Sequence, residues 1–173
     1  QFSADAHPLR LPPGELDIPA IRGVGGSLIY FLDDAGPLAR VWEIEFDDTG
    51  ETAQDTGLTH VDHIAQSMQY EEMLSWVLFY TSLLGLRKVA PQDVPDPGGL
   101  VVSQVIEAAD GALRLVLNAS QSHRTQSSRF VSAFFGSGVQ HLAPAPDDMM
   151  RTAARLERNG IELLEIPDNY YDD

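Results

Sequence analysis

The sequence predicts an α+β protein built from a repeated module in which a strand is followed by a helix and further strands. A short histidine phrase, His60-Val-Asp-His63-Ile-Ala, returns later in the chain as Val139-Gln-His141-Leu-Ala. Each phrase is a strand-like run, and each precedes a helical stretch, Tyr70 to Leu84 after the first and Asp147 to Asn159 after the second. Such self-similarity indicates a repeated structural unit.

The first copy of the module continues with three strand candidates: Leu86 to Ala90, Leu100 to Ala108 and Ala112 to Leu117. Turn signals separate them, and Asp110-Gly111 is a good hairpin signal. The order is therefore strand, helix, strand, strand, strand, or βαβββ.

The second copy begins with a polar connector and a short helix near Arg129 to Phe135, ahead of the His141 strand. A strand is predicted at Ile161 to Ile166, after the second helix. Two strands of this copy are still expected when the sequence stops, so the second module is predicted to be incomplete at its C-terminal end.

The first fifty residues form a separate part of the predicted organisation. Gly23-Val-Gly-Gly26 precedes the strand candidate Ser27 to Leu32, whereas a phosphate-binding loop follows a strand and opens a helix. A tight turn that leads into the strand is therefore the better interpretation. Val41 to Phe46 alternates with period two and predicts another strand. The acidic, turn-rich residues that follow place a domain boundary between residues 1–50 and 51–173.

Composition limits the classes of function. The chain has 173 residues, 43% of them apolar, which is enough to bury a core. Its net charge of −15 argues against nucleic acid and anionic membranes as partners. No apolar run is long enough to span a membrane, and no signal peptide is recognisable, so a cytoplasmic location is expected. The absence of cysteine leaves only nitrogen and oxygen ligands for a metal.

The two repeated histidines are the candidate metal ligands. Neutral imidazole is the commonest metal ligand, and His63 and His141 from equivalent strands would leave positions open for a carboxylate, a substrate and dioxygen. The alternative is that both are hydrogen-bonded core histidines. His60 has the opposite strand parity to His63 and is interpreted as structural, while His123 lies in a polar connector and is expected to be solvated.

Five motifs, in order along the chain, resemble the catalytic half of the 4-hydroxyphenylpyruvate dioxygenase family, which belongs to the vicinal-oxygen-chelate superfamily. They are Thr59 to Ala65, Trp76 to Leu86, Leu117-Asn118, Gly138 to Ala143 and Ile166 to Asp173. Ile18 to Phe31 is similar to the end of that family's non-catalytic first half. The resemblance implies a cupped mixed sheet made from paired βαβββ modules. Residues 1–50 would be the tail of the first half, and residues 51–173 a truncated metal-binding half.

The resemblance also implies site residues. His63 and His141 match the family's two iron-binding histidines, with Fe(II) or another divalent ion as the expected cofactor. The third ligand is a glutamate in the family and is expected beyond Asp173. Four polar residues match positions that surround the substrate: Ser103, Asn118, Gln126 and Gln140.

Some segments of the sequence differ from those of the dioxygenases. Their Pro-Leu-Asn-Glu-Pro phrase is Val116-Leu-Asn-Ala-Ser120 here, and the connector that follows is shorter. Leu113 to Ser128 is more similar to the dioxygenase-like C-terminal region of bacterial two-part proteins with 3-dehydroshikimate dehydratase activity. In those proteins an isomerase-like barrel carries out the dehydration.

Three hypotheses follow from these similarities. The first is an Fe(II)-dependent dioxygenase that decarboxylates an aryl 2-oxoacid with dioxygen and hydroxylates its ring. The second is a companion domain of a dehydratase, fused to a barrel domain and without oxygenase turnover. The third is another chelate-type activity, such as ring cleavage or glyoxalase chemistry. A homo-oligomer is expected, and the sequence shown is expected to be inactive by itself.

Overall fold

The computed structural model describes residues 15–52 and 54–164. These residues divide into two compact units, of which the first contains residues 15–51 and 62–143 and the second residues 52–61 and 144–164. The predicted boundary between residues 50 and 51 stays a prediction. The motif at Ile166 to Asp173 and His7 lie outside the described residues.

The first unit begins with a hairpin. Strands β1 (Ala20–Arg22) and β2 (Leu28–Tyr30) pair antiparallel. The glycine-rich residues form a short 3-10 turn, Val24–Gly26, between them. The predicted turn is therefore confirmed. Val24 is 1% exposed and belongs to the core.

The prediction of a strand at Val41 to Phe46 is wrong, because the structure has helix α1 (Val41–Glu45) there. A 3-10 helix, Gly36–Arg40, with proline in its first turn leads directly into α1. Pro37 favours a helical start because its φ is already fixed near the helical value. Val41 is buried, and the Trp42 and Phe46 rings contact each other one helical turn apart, with centroids 5.3 Å apart. The alternating pattern therefore forms a short helix of which only Val41 is buried.

The first repeat begins as predicted, with a strand followed by a helix. Strand β3 (Leu58–Ser67) carries the first histidine phrase, and a 3-10 turn (Tyr70–Glu72) leads into helix α2 (Met73–Leu83). Gly85 has φ 66°, which suits the left-handed position that ends a helix.

Four strands come next: β4 (Arg87–Lys88), β5 (Gln92–Asp96), β6 (Gly99–Glu107) and β7 (Arg114–Ala119). Of these, β5 was not predicted. The remaining elements are α3 (Gln126–Ala133), β8 (Gly138–Pro146) and α4 (Met149–Arg158). Residues 161–164, in the strand predicted from Ile161 to Ile166, are irregular, and the rest of that segment lies outside the described residues.

Six of the strands form one mixed sheet in the order β4, β6, β7, β3, β8, with β5 also paired to β6. The pairing of β3 with β7 is parallel, and that of β6 with both β5 and β7 is antiparallel. The predicted mixed-sheet α+β fold is confirmed. Helix α2 packs on one face of the sheet, where the core residues include Tyr80, Ile106, Leu115 and Leu117.

The second unit contains α4, the first residues of β3, the last residues of β8 and the loops beside them. Asp148 caps the N-terminus of α4 by accepting a hydrogen bond from the Arg151 amide at 2.9 Å. Asp147 N donates to Gly57 O at 2.8 Å, and Arg155 pairs with Asp55 at 3.3 Å. Across both units, none of the helices in the described residues has the length and apolar character needed to cross a bilayer.

Candidate metal centre

The rings of His63 and His141 lie close together in the first unit. Their centroids are 5.8 Å apart and the ring planes meet at 75°. A ring nitrogen binds a divalent ion at about 2.1 Å, so two imidazoles on one ion have centroids at most about 6.4 Å apart. The separation therefore fits two ligands of a single cation.

Each ring has a partner at Nδ1. His63 Nδ1 lies 2.8 Å from Asp62 Oδ2, and because a carboxylate only accepts hydrogen bonds, this nitrogen carries the hydrogen. His141 Nδ1 lies 3.3 Å from Gln140 Oε1, which is a longer contact. Partners at Nδ1 leave Nε2 of each ring as the nitrogen for a metal, the arrangement usual for metal-binding histidines.

The protonation of these groups suits metal binding. Partial desolvation, and then the neighbouring His63 ring, lower the pKa of His141, which favours its neutral form. The hydrogen bond with His63 lowers the pKa of Asp62, and Arg114 adds to this effect although desolvation opposes it. Neutral imidazole is the form that binds a metal.

A carboxylate that could complete the site is not found in residues 15–52 and 54–164. Within that part of the chain, no group of three histidine, aspartate or glutamate side chains is placed to hold one ion. The residues present thus fit a divalent cation with two ligands.

Ser103 and Asn118 share the sheet face of His63. Ser103 pairs directly with Asn118 across β6 and β7, and Asn118 pairs with Ser67 of β3. Because side chains alternate along a strand, Ser67 faces the same side as His63, four residues earlier. This face is opposite to the one that carries Leu115 and Leu117 into the core.

The other two predicted substrate residues have different surroundings. Gln140 lies beside His141, as described above. Gln126 is exposed at the first residue of α3, where its backbone amide donates to Asp96 Oδ2 at 3.0 Å. It lines a cavity of about 300 Å³ together with Asp96, Arg124 and Arg129.

Comparison with known proteins identifies the family of the chain. The profile of the Glyoxalase/Bleomycin resistance protein/Dioxygenase superfamily matches residues 60–173. The chain belongs to this superfamily. Its vicinal-oxygen-chelate fold agrees with the mixed sheet, and a solved 4-hydroxymandelate synthase variant from Streptomyces coelicolor superposes with a TM-score of 0.76 at 21% identity, covering 98% of this chain and 50% of the other.

Several of its relatives are enzymes. The chain is 38% identical to a 3-dehydroshikimate dehydratase of Pseudomonas putida over 93% of its own length and 25% of the relative's. It is 32% identical to a 4-hydroxyphenylpyruvate dioxygenase of Pseudomonas aeruginosa, over 92% of this chain and 45% of that one. A solved fusion of a xylose isomerase-like TIM barrel and 4-hydroxyphenylpyruvate dioxygenase matches at 35% identity and TM-score 0.71, over 98% of this chain and 26% of the fusion. The chain therefore spans under half the length of these relatives.

This superfamily member has charged residues beside its histidine pair that the sequence patterns did not single out. Arg114 Nη1 lies 2.8 Å from Asp62 Oδ1, and Arg114 Nε lies 3.4 Å from Glu107 Oε2. Glu107 Oε1 is in turn 3.4 Å from Arg87 Nη2. The one available signal is Arg114 itself, a charge inside the apolar run Leu113-Arg-Leu-Val-Leu117.

Proposed function

We propose that the chain is the metal-binding half of a non-heme Fe(II)-dependent dioxygenase of the 4-hydroxyphenylpyruvate dioxygenase type. The reaction would be the oxidative decarboxylation of an aryl 2-oxoacid with hydroxylation of the ring. The observation that carries the proposal is the pair of imidazoles, His63 and His141, with centroids 5.8 Å apart and a partner at each Nδ1.

His63 and His141 would hold the cation through Nε2, and we place the remaining carboxylate ligand outside the described residues. When bound, Fe(II) would supply Lewis acidity and a template on which the oxoacid and dioxygen meet. Two histidines and one carboxylate leave positions open for both reactants. The protein's own task is to hold both imidazoles in the correct orientation.

The sheet face beside His63 has a layout that suits an aryl 2-oxoacid. Beyond the level of His63 lies an apolar row, Ala65, Val116 and Val105, joined by the strand register. The next row on the same face is polar: Ser67, Asn118 and Ser103. Four residues along a strand span about 13 Å, which leaves room for an aromatic ring over the apolar row.

In this arrangement the polar row would orient the far end of the substrate by hydrogen bonds. We assign that role to Ser103 and Asn118, and propose that Gln140 acts on the oxoacid end beside His141. Helix α3 lies over the polar row, since Ser127 Oγ donates to Ser67 Oγ at 3.1 Å. The helix would exclude water there. We assign Gln126, at the start of α3, as a fourth substrate-side residue.

A second candidate is a companion domain of a 3-dehydroshikimate dehydratase, without oxygenase turnover. The identity to the dehydratase relative, 38%, exceeds the 32% to the dioxygenase relative. The replacement of the family's Glu-Pro by Ala119-Ser120 next to Asn118 also favours it. In this case the chain would be fused to a barrel domain, and the fused protein would form homo-oligomers. The chain would contribute to assembly or regulation.

The test is oxygen uptake by the full-length protein supplied with Fe(II) and 4-hydroxyphenylpyruvate, measured beside the loss of dehydroshikimate. We expect His141→Ala to lower oxygen uptake at least about 100-fold, since even partners outside the ligand sphere change metal sites 10- to 100-fold. The matched control is His123→Ala, because this histidine is exposed in the connector ahead of α3. It should leave uptake unchanged.

The outcomes separate the two candidates. Oxygen uptake that depends on His63 and His141 supports the dioxygenase. If only dehydroshikimate is consumed, and His141→Ala leaves that activity intact, the dioxygenase proposal is wrong and the companion domain is supported.

A further inference from the structure

The charged residues around Asp62 form a continuous chain that ends on a candidate metal ligand. It runs across four strands from Arg87 on β4 through Glu107 on β6 and Arg114 on β7 to Asp62 and His63 on β3. Glu107 is the register partner of both arginines in the sheet. Strand pairing therefore brings Glu107 to both arginines, whereas Arg114 reaches Asp62 through its long side chain.

The two oxygens of Asp62 have separate partners. Oδ2 accepts the His63 Nδ1 hydrogen at 2.8 Å, and Oδ1 accepts from Arg114 Nη1 at the same distance. The Asp62 side chain is 39% exposed, so burial alone does not fix its rotamer. The second, charge-assisted bond from Arg114 holds the carboxylate in the orientation that His63 requires.

Arg114 is itself held on its other edge. Its Nε contacts Glu107, whose side chain is 22% exposed, the lowest value among the five linked residues. A planar guanidinium that is bound at both Nε and Nη1 cannot rotate without losing one contact. Arg87, at the outer end, is 61% exposed, and within residues 15–52 and 54–164 its side chain contacts Glu107 alone among the acidic groups.

The support of the second imidazole is different. His141 Nδ1 faces the neutral amide of Gln140 at 3.3 Å, and Gln140 has no contact with the charged chain among the hydrogen bonds of the described residues. Of the two imidazoles, the charged contacts through Arg114 and Asp62 therefore orient His63 alone.

We propose that Arg114 is a positioning residue that, through Asp62, keeps the hydrogen of His63 on Nδ1 and leaves Nε2 as the nitrogen that faces the cation. That His63 then binds a metal rests on the proposed function, whereas the orientation of the His63 ring does not. Loss of Arg114 would free the Asp62 carboxylate, so that His63 samples both tautomers and presents a poorer ligand.

The first experiment is nitrogen-15 NMR of the histidine rings in the metal-free, full-length protein. The spectra are recorded at about pH 8.5, which is above the ordinary histidine pKa of about 6.5. We expect the wild-type protein to carry the His63 hydrogen on Nδ1. Arg114→Gln should give a mixture of both tautomers at His63 and leave the His141 signals unchanged, which makes the second ring an internal control.

The second experiment is a Co(II) titration followed by visible absorbance. Arg114→Gln is expected to weaken Co(II) binding about 10-fold, in the range seen when an outer partner of a ligand is lost. Arg114→Lys should recover part of the affinity, because it keeps the charge but only one donor group. Arg87→Gln removes the other arginine that contacts Glu107 and should stay within about twofold of wild type.

Two results would overturn the proposal. One is a wild-type His63 that carries its hydrogen on Nε2, a measurement that needs no variant. The other is an Arg114→Gln protein whose His63 tautomer matches that of Arg87→Gln. A His63 tautomer that depends on Arg114, in a protein that binds no Co(II), would support the positioning role and count against the proposed metal function instead.

Discussion

Among single residues, Tyr80 makes a buried hydrogen bond that stabilises the core behind the candidate site. Its hydroxyl donates to Gln66 Oε1 at 3.0 Å, and the two residues are only 1% and 5% exposed. Tyr80→Phe would leave the Gln66 oxygen unsatisfied, so we expect the free energy of unfolding in urea to fall by about 1–3 kcal/mol. Tyr70→Phe, at a tyrosine that is 38% exposed, should change it by less than about 0.5 kcal/mol.

The same substitution should also alter the pH dependence of stability. Burial raises the pKa of Tyr80 above its ordinary value. The unfolded chain then loses this proton first, so the contribution of Tyr80 is complete below about pH 10 and is lost as the pH rises through the folded-state pKa. The difference between wild type and Tyr80→Phe should therefore shrink above pH 10. A constant difference would contradict this reasoning.

At the scale of elements, the turn between β1 and β2 touches the backbone that precedes β8. A Cβ on Gly25 would lie 1.7 Å from the carbonyl oxygen of Ser137, whereas a Cβ on Gly26 would meet nothing within 4 Å. Both glycines have positive φ, 63° and 79°. The left-handed backbone should cost each alanine variant about 1–2 kcal/mol, and Gly25→Ala should lose a further ~1–3 kcal/mol from overpacking.

Urea unfolding of Gly25→Ala and Gly26→Ala measures this difference directly, because the two variants share the backbone penalty. Equal losses of stability would mean that the hairpin does not pack against the Ser137 backbone in solution.

An element could be predicted well where its own residues determine its secondary structure, and less well where contacts with other segments do. The helical stretch Tyr70 to Leu84 and the Gly85 that follows it are local signals, and α2 with its preceding 3-10 turn lies there. Val41 to Phe46 alternates like a strand, but the preceding proline turn and the Trp42–Phe46 contact make it helical. Strand β5 was missed because Gln92-Asp-Val-Pro-Asp96 is poor in strand-forming residues and is held by its pairing with β6.

For the whole molecule, the excess of acidic residues should make stability depend on salt. The net charge of −15 produces repulsion within the compact state. Screening acts over about 8 Å at 0.15 M ionic strength, so the melting temperature should rise between ~0.01 and ~0.2 M NaCl and then level off. A melting temperature that falls over this range would show that attractive ion pairs dominate instead.

The candidate site could be predicted in part. His63 and His141 were found because they occupy the same place in two copies of one module, and their rings lie close together in the structure. Their roles as ligands stay a prediction. Asp62, Arg114 and Glu107 come from three strands, and their contacts depend on a cross-strand register that one sequence does not reveal.

The outer side of β6 is covered by the short strands β4 and β5, which lie at one end of the sheet. In β5, Pro95 has no amide hydrogen to offer, and Asp93 and Asp96 add negative charge. Proline and charged residues at such a border hinder the addition of a strand from another molecule. This side of the sheet is therefore protected against edge-to-edge aggregation and fibril growth.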